Sequence, residues 1–274
     1  MKQKVLLATI VLLAATALVQ AQDELHGFID VTYQSKYMWR GIDVYDDKSA
    51  IQPTVMLDLY GTGFGVSLEG HRANASGFET TERWDATLFY KNALFMDESY
   101  AMQYLLGWRY FYFPDAPLDE APGMSIDLQE IHAVMSFPKI LAVEGLVPTY
   151  VLVKLWPAES GSFVGSADPP PGTASGFAHI FMLDYALPIE DLLPDMPEQV
   201  LNLHGEVVFN DGVDPRGIGV DHDWSNAVFG VSTDFKLADN VTLTPGVYHQ
   251  VTMDDTINDD QDETWCTLGL KYSF

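Results

Sequence analysis

The chain closes on Cys266-Thr267-Leu268-Gly269-Leu270-Lys271-Tyr272-Ser273-Phe274, where even positions are apolar or aromatic and odd positions small or polar. Successive side chains of a strand point to opposite faces. The run therefore predicts a ribbon with one greasy face and one wet face, ending on an aromatic residue. Similar alternation recurs along the chain. It predicts strands near residues 27–39, 50–60, 64–71, 82–91, 99–113, 126–137, 145–156, 176–187, 199–210, 223–235, 240–252 and 263–274. The clearest carries Tyr100, Met102, Tyr104, Leu106, Trp108, Tyr110 and Tyr112, alternating with Gln103, Gly107 and Arg109. Lengths near 9–11 residues suit a tilted bilayer crossing.

After residue 21 no apolar run is long enough for a membrane helix, yet 47% of the chain is hydrophobic and 12% aromatic. Lipid offers no partners to open sheet edges, so a membrane chain without helices must close into a barrel. The pattern thus predicts an all-β fold: a transmembrane antiparallel up-and-down β-barrel of about 12 strands in a bacterial outer membrane. The competing architecture is an exported soluble β-domain, whose strands also alternate.

The connections sharpen this expectation. Gly61-Thr62-Gly63 and Leu237-Ala238-Asp239-Asn240 are short turns at the second and tenth connections, whereas odd-numbered connections include longer polar or acidic stretches. That parity suits periplasmic termini, with short periplasmic turns and long outer loops. The eighth connection is the exception, with Pro188, Pro194 and Pro197, and its Ile189–Leu193 predicts a short surface helix. Pro169-Pro170-Pro171-Gly172 reads as a loop. Pro53 and Pro148 fall near strand starts, where proline is tolerated, and the more central Pro245 predicts a bulge.

At the front, Met1-Lys2-Gln3-Lys4 is basic and residues 5–19 are almost wholly apolar, followed by a small residue, Ala21. Residues 1–21 are read as a secretory signal peptide, leaving 22–274 as a single domain. Removing its two lysines leaves 12 Lys+Arg against 39 Asp+Glu, a formal charge of −27. Such a field excludes nucleic acid as a partner and favours cations or cationic solutes. Cys266, the only cysteine, allows no intrachain disulfide and lies on the outward face as a small hydrophobe.

The first strand holds Asp30-Val31-Thr32-Tyr33-Gln34-Ser35-Lys36-Tyr37-Met38-Trp39-Arg40-Gly41, followed by Ala50-Ile51-Gln52-Pro53 and a second strand ending at Tyr60-Gly61-Thr62-Gly63-Phe64. This resembles the N-terminal pattern of the TorF family of porin-like outer-membrane proteins, in which a Ser-x-Tyr-x-aromatic-Arg-Gly segment precedes a Pro/Gln-containing second strand. The match covers roughly residues 28–70 and is carried by Ser35, Tyr37, Trp39, Arg40 and Gly41. Here Pro53 follows Gln52 where the family more often has glycine. The resemblance implies a signal peptide, an outer-membrane barrel and a porin-like role, and no particular solute. On strand parity Tyr37 and Trp39 are expected outside, in the interfacial aromatic belt. Arg40 is then expected at the strand exit, either pairing with carboxylates of the loop from Asp43 to Lys48 or snorkelling.

With the apolar face outward, the inward face supplies pore-lining candidates. The acidic ones are Asp30, Asp58, Glu69, Asp85, Glu130 and Glu206. The basic ones are Arg83, Arg109, Lys154 and Lys271, joined by His132 and His204. Each charge would be costly against lipid near the midplane. A barrel of this size leaves a narrow lumen. The expected function is a porin-like channel for small solutes with a preference for cations, the acids attracting them and Arg83, Arg109 and Lys271 forming a constriction. The bland alternative is that these groups pack and pair inside a closed barrel.

Metal chemistry has two candidates. His204-x-Glu206 places two ligands on one face, too few for zinc. Asn258, Asp260 and Asp262 alternate as hard oxygen groups, a weak calcium motif without the glycine and terminal glutamate of an EF-hand loop. A second acidic loop holds Asp211, Asp214, Asp221 and Asp223. No other cofactor is expected. A lipid hydrolase is the rival class, but no G-x-S-x-G elbow exists. Ser162 and Ser166 have no histidine near in sequence, and the outward-facing His249 has no nameable serine. A structural, adhesion or receptor barrel acting through acidic loops is the remaining alternative. The expected partners are outer-membrane lipid, small solutes or cations, and the barrel assembly machinery through the strand ending at Phe274.

Overall fold

A computed structural model describes residues 25–115, 127–158, 175–189, 199–213 and 219–274. The expected signal segment, the 169–172 loop, Ser162 and Ser166, Asp214 and nearly all of the proposed 189–193 helix lie outside these residues.

Twelve long strands form one sheet: β1 (His26–Gln34), β2 (Ala50–Asp58), β3 (Phe64–Ala73), β4 (Arg83–Leu94), β5 (Met102–Tyr112), β6 (Leu128–Ser136), β7 (Leu146–Pro157), β8 (Gly176–Pro188), β9 (Val200–Val213), β10 (Gly219–Thr233), β11 (Val241–Thr252) and β12 (Glu263–Ser273). Each runs antiparallel to the next, β10 pairs with β11, and β1 returns to β12, so the sheet closes into a barrel. Phe28 lies opposite Ser273, and Gly27 and Phe274 exchange backbone hydrogen bonds of 2.9 and 3.0 Å. Closure gives each of the twelve described wall strands a partner on both sides, which the alternating greasy face requires if it meets lipid. A four-residue strand, Phe235–Ala238, continues β10 against β11. The register runs unbroken past Pro245, which faces Leu268, so the bulge expected there is absent. Shifts occur instead between β9 and β10, near Val208 and Asn210.

The alternation falls as expected. Ile29, Val31 and Tyr33 on β1, and Leu268, Leu270 and Tyr272 on β12, are exposed on the outer face. Phe64, Tyr90 and Tyr104, and Tyr272 with Phe274, form ring contacts around the rim where β1 begins and β12 ends. Phe181, Phe209 and Trp224 do so toward the other rim. An apolar band between aromatic girdles is the outer surface that a bilayer demands.

The first strand differs from its expected extent. It ends at Gln34, where Ser35 makes its last bonds to Cys266 at 2.9 Å, and the chain then turns into the lumen. Period-two reasoning assumes that a strand continues, so it carried Tyr37 and Trp39 outward. In the structure Tyr37 is only 2% exposed and lies inside the barrel.

Candidate functional site

The segment between β1 and β2 is a miniature hairpin inserted into the lumen. Met38–Trp39 pairs with Ile42–Asp43, and Arg40 and Gly41 form its two-residue tip. Both have positive φ, 51° and 87°. Two-residue hairpins demand this when their twist matches that of the strands. Glycine adopts it freely, whereas arginine does so at a cost of order 1–3 kcal/mol. A Cβ on Gly41 would also lie 2.8 Å from Asn226 Oδ1. The segment from Ser35 to Gly41 is therefore not an interfacial anchor but leads into the near arm and tip of a lumen hairpin.

Side chains from opposite walls hold it. Arg40 pairs with Glu130 on β6, rather than with carboxylates of its own loop. The Gly41 carbonyl accepts a 2.8 Å bond from Gln250 Nε2 on β11, and the Asp43 N–H donates to Asn258 Oδ1 at 2.9 Å. Arg83, 2% exposed, stacks its guanidinium 3.8 Å from the Trp39 ring centroid and donates to the Tyr37 hydroxyl at 2.7 Å. Trp39 also meets Phe111, which with Leu128 and Leu155 forms an apolar cluster on the inner wall. A buried cation over an aromatic face contributes about 2 kcal/mol, so Arg83 serves as a seat for the hairpin.

Behind Arg83 the polar groups form a chain. Arg83 Nε lies 3.0 Å from Asp85 Oδ1, and Asp85 Oδ2 lies 3.0 Å from His71 Nε2. Gln52 Nε2 is 2.8 Å from His71 Nδ1. With that amide donating to Nδ1, the ring proton sits on Nε2 and points at Asp85. Glu69 approaches the same Nε2 at 3.8 Å. Next to it, Glu130 accepts from His132 Nδ1 at 3.0 Å, and Arg109 donates to Thr87 Oγ1 at 3.0 Å. Gly107 makes room for His132, since a Cβ there would lie 2.2 Å from the ring Nε2. These fixed, paired charges fill one half of the lumen.

At the mouth, Lys36 pairs with both Asp47 and Glu263. Asp47 and then Glu263 raise the Lys36 pKa above its ordinary value, and Lys36 in turn lowers that of Asp47. Burial pushes Asp43 up. Asn258, one of the suggested calcium ligands, contacts this mouth: its amide oxygen takes the Asp43 N–H and its Nδ2 lies 3.2 Å from Glu263 Oε1. Asp262 accepts from the Thr252 N–H at 2.9 Å. Asp260 is exposed on the same loop.

The other half of the lumen stays open. A cavity of about 470 Å³ runs beneath the hairpin, walled by Met38 and Arg40 on one side and by β9 to β12 and β1 on the other. Asp30, Glu206, His204 and Lys271 line it, as parity predicted. A second cavity of about 430 Å³ shares His204 and Tyr248 with the first and reaches Gly145, between β6 and β7. His204 Nδ1 lies 2.7 Å from Asp184 and its Nε2 3.9 Å from Glu206. Near the rim where β1 begins, Asp58 pairs with Lys91 at 2.7 Å.

Lys154 does not line the pore. It lies opposite Ile131 and Phe177, both exposed on the outer face, with its Nζ 4.6 Å from the Phe177 ring and 3.3 Å from Ser175 Oγ. On β7 the apolar Val153 and Leu155 face inward, because the inner wall there is the apolar cluster; the polar-inward rule fails locally. His249, the outward histidine, faces Thr264 Oγ1 at 2.9 Å. Tyr248 and Trp265, stacked at 5.5 Å, line the cavity, although aromatic residues of a barrel wall are expected to face lipid. Their signal was parity: Tyr248 shares a face with the inward Gln250.

No protein-family model matches the sequence, and no curated protein matches it. Solved structures do share its shape. A COG4313 outer-membrane channel from Pseudomonas putida F1 superposes with a TM-score of 0.52 at 13% identity, covering 93% of this chain and 97% of that one. The NanC porin gives 0.51 at 9% identity, over 90% and 100%. The KdgM porin gives 0.50 at 10% identity, over 90% and 99%. The chain is thus a closed twelve-stranded antiparallel barrel, and it shares that fold with outer-membrane porins.

Proposed function

We propose that the protein is an outer-membrane, porin-like channel for small solutes, with a preference for cations. The observation that carries this reading is the half-open lumen: two adjoining cavities run past a hairpin fixed to the opposite wall. A purely structural barrel has no need to tether a narrow hairpin beside open space. The apolar outer band and its aromatic girdles support residence in lipid, with the termini and the shorter turns on the periplasmic side. The strand ending at Phe274, which closes the ring, is the natural segment for the barrel assembly machinery to read.

Cation preference rests on charge. Asp46, Asp47, Asp255, Asp259, Asp260 and Asp262 are exposed in loops at the rim opposite the start of β1 and the end of β12, and Asp30 and Glu206 line the cavity. Fields of one sign at a narrow mouth concentrate counter-ions. A KdgM porin structure holds a disordered oligogalacturonate. That ligand is a polyanion, which the acidic rim here disfavours. Purified protein in a planar bilayer under a potassium chloride gradient should give discrete currents whose reversal potential favours potassium. Silent bilayers despite verified insertion would overturn the channel reading, and anion-selective currents would overturn the cation preference.

A further inference from the structure

Five strands set one row of residues across the open half of the lumen. Asp184 on β8 lies opposite His204 on β9, His204 opposite Gly230 on β10, Gly230 opposite Tyr248 on β11, and Tyr248 opposite Trp265 on β12. Gly230 is the gap that this row needs. A Cβ there would sit 2.3 Å from the Tyr248 ring, so the ring lies over the glycine, on the side of His204. Both cavities reach that ring. Trp265 continues the strip, its ring 16° from parallel with that of Tyr248.

Glu206 stands one same-face position along β9 from His204 and lines the same cavity as the two aromatic residues. Among the described residues its carboxylate accepts no hydrogen bond, and His204 Nε2 stays 3.9 Å away. The lumen cations are engaged or distant. Arg40 pairs with Glu130. Lys271 faces Asp30 and lies six residues along β12 from Trp265, about 20 Å at the rise of a strand. Asp184 and Glu206 bring two carboxylates to one imidazole. A negative charge is therefore left over whichever protonation state His204 takes. A carboxylate without a donor, beside aromatic faces, suits a cation with an apolar body: the carboxylate answers the charge, and the ring quadrupole attracts the groups that carry it. A bare metal ion takes oxygen ligands, which the rings do not supply.

We infer that this cavity binds a small organic ammonium ion, with its charge on Glu206 and its alkyl groups against Tyr248 and Trp265. The inference deepens the channel reading by naming a class of cation, and it rests on that reading only for the solute's route. Binding is read on the detergent-solubilised barrel, without conduction. Tetramethylammonium chloride should give a saturable change in tryptophan fluorescence, and potassium chloride at the same ionic strength should not. Glu206→Gln keeps the shape and removes the charge, and should weaken tetramethylammonium binding about tenfold. Tyr248→Leu should weaken it similarly, whereas Tyr248→Phe, which keeps the ring, should bind as the parent does. Heat-modifiable gel mobility verifies that each variant is folded; if Tyr248→Leu does not fold, Glu206→Gln decides alone. No saturable change, an equal change with potassium chloride, or parental affinity in folded Glu206→Gln or Tyr248→Leu overturns the inference. Currents in potassium chloride alone test the channel separately. A silent barrel that binds tetramethylammonium keeps the site and loses the channel, and a conducting barrel that does not bind keeps the channel and loses the site.

Discussion

Arg40 and Glu130, ninety positions apart in sequence, meet inside the barrel because a hairpin carries the arginine from β1 toward β6. The Glu130 side chain is 3% exposed and also takes His132. This ion pair at the tip of the turn is one of the contacts that hold the hairpin across the lumen.

Removing either partner should loosen the tip of the hairpin, the other anchors remaining. Arg40→Ala and Glu130→Gln should each raise unitary conductance, by about twofold for a lumen this narrow. The double variant should add little beyond either single change, since both break the same contact. Conductance at the wild-type level in both variants would mean that the hairpin is not the constriction.

Gly41→Ala tests the turn without touching a charge. The left-handed backbone and the 2.8 Å approach to Asn226 Oδ1 both oppose a Cβ, at about 1–2 kcal/mol for the backbone alone. Limited proteolysis should then cut within residues 36–49 faster than in the parent. Equal protection would show that Asn226 yields and the turn survives.

Gly107→Val should act on the opposite wall. The added carbon overlaps the His132 ring, so the 3.0 Å bond to Glu130 is lost. Overpacking of this kind costs roughly 1–3 kcal/mol, read as earlier unfolding in a heat-modifiability series. An unshifted series would show that His132 can rotate away at no cost.

The mouth tether has a defined pH range. The Lys36 pKa is raised, so its contribution is fully present below its ordinary 10.5 and is lost as pH rises through the higher folded value. That of Asp47 is lowered, so its contribution is present above its ordinary 3.8 and is lost as pH falls through the lower folded value. Asp43, raised by burial, has the opposite sign: its charged form is disfavoured, and acid relieves it before Asp47 is neutralised. Conductance should therefore hold steady from roughly pH 5 to 9 and change only in stronger acid or base. Lys36→Met removes the tether at every pH, so the changes in stronger acid and base should disappear; changes that persist in this variant would place the pH response elsewhere.

Lys154→Leu probes the outer wall. Lysine near a bilayer rim costs only about 0–1 kcal/mol, against about 2–4 at the midplane. A small stability gain would place Phe177 and Ser175 at the interface. A gain of several kcal/mol would place them deep in the apolar band.

The barrel was legible because period-two alternation is a global property: it recurs in every strand, and the last strand's register with the first follows from chain closure. The lumen was legible only where polar faces point inward, as at Asp85, Glu130, His204 and Lys271. It misled at β7, where Val153 and Leu155 face inward and displace Lys154. The hairpin was hidden for a different reason. Tyr37 and Trp39 continue the parity of Tyr33, and nothing local shows that the partner of Trp39 is Arg83, forty-four positions onward. A cation inside a barrel wall recruits aromatics that would otherwise face lipid, and such recruitment is a property of the assembled wall.

The ring closure described above also imposes a chronology on the hairpin. It leaves the end of the first strand, yet its anchors lie on β4, β6, β11 and the last loop, and the neighbouring Lys36 ties to the first residue of β12. It therefore cannot settle until nearly the whole chain is in place. A nascent barrel passes through a stage in which the wall exists and the divider does not. The narrowed lumen is thus a late product of assembly, and arrest before the final strand docks would leave a wide hole rather than a selective one.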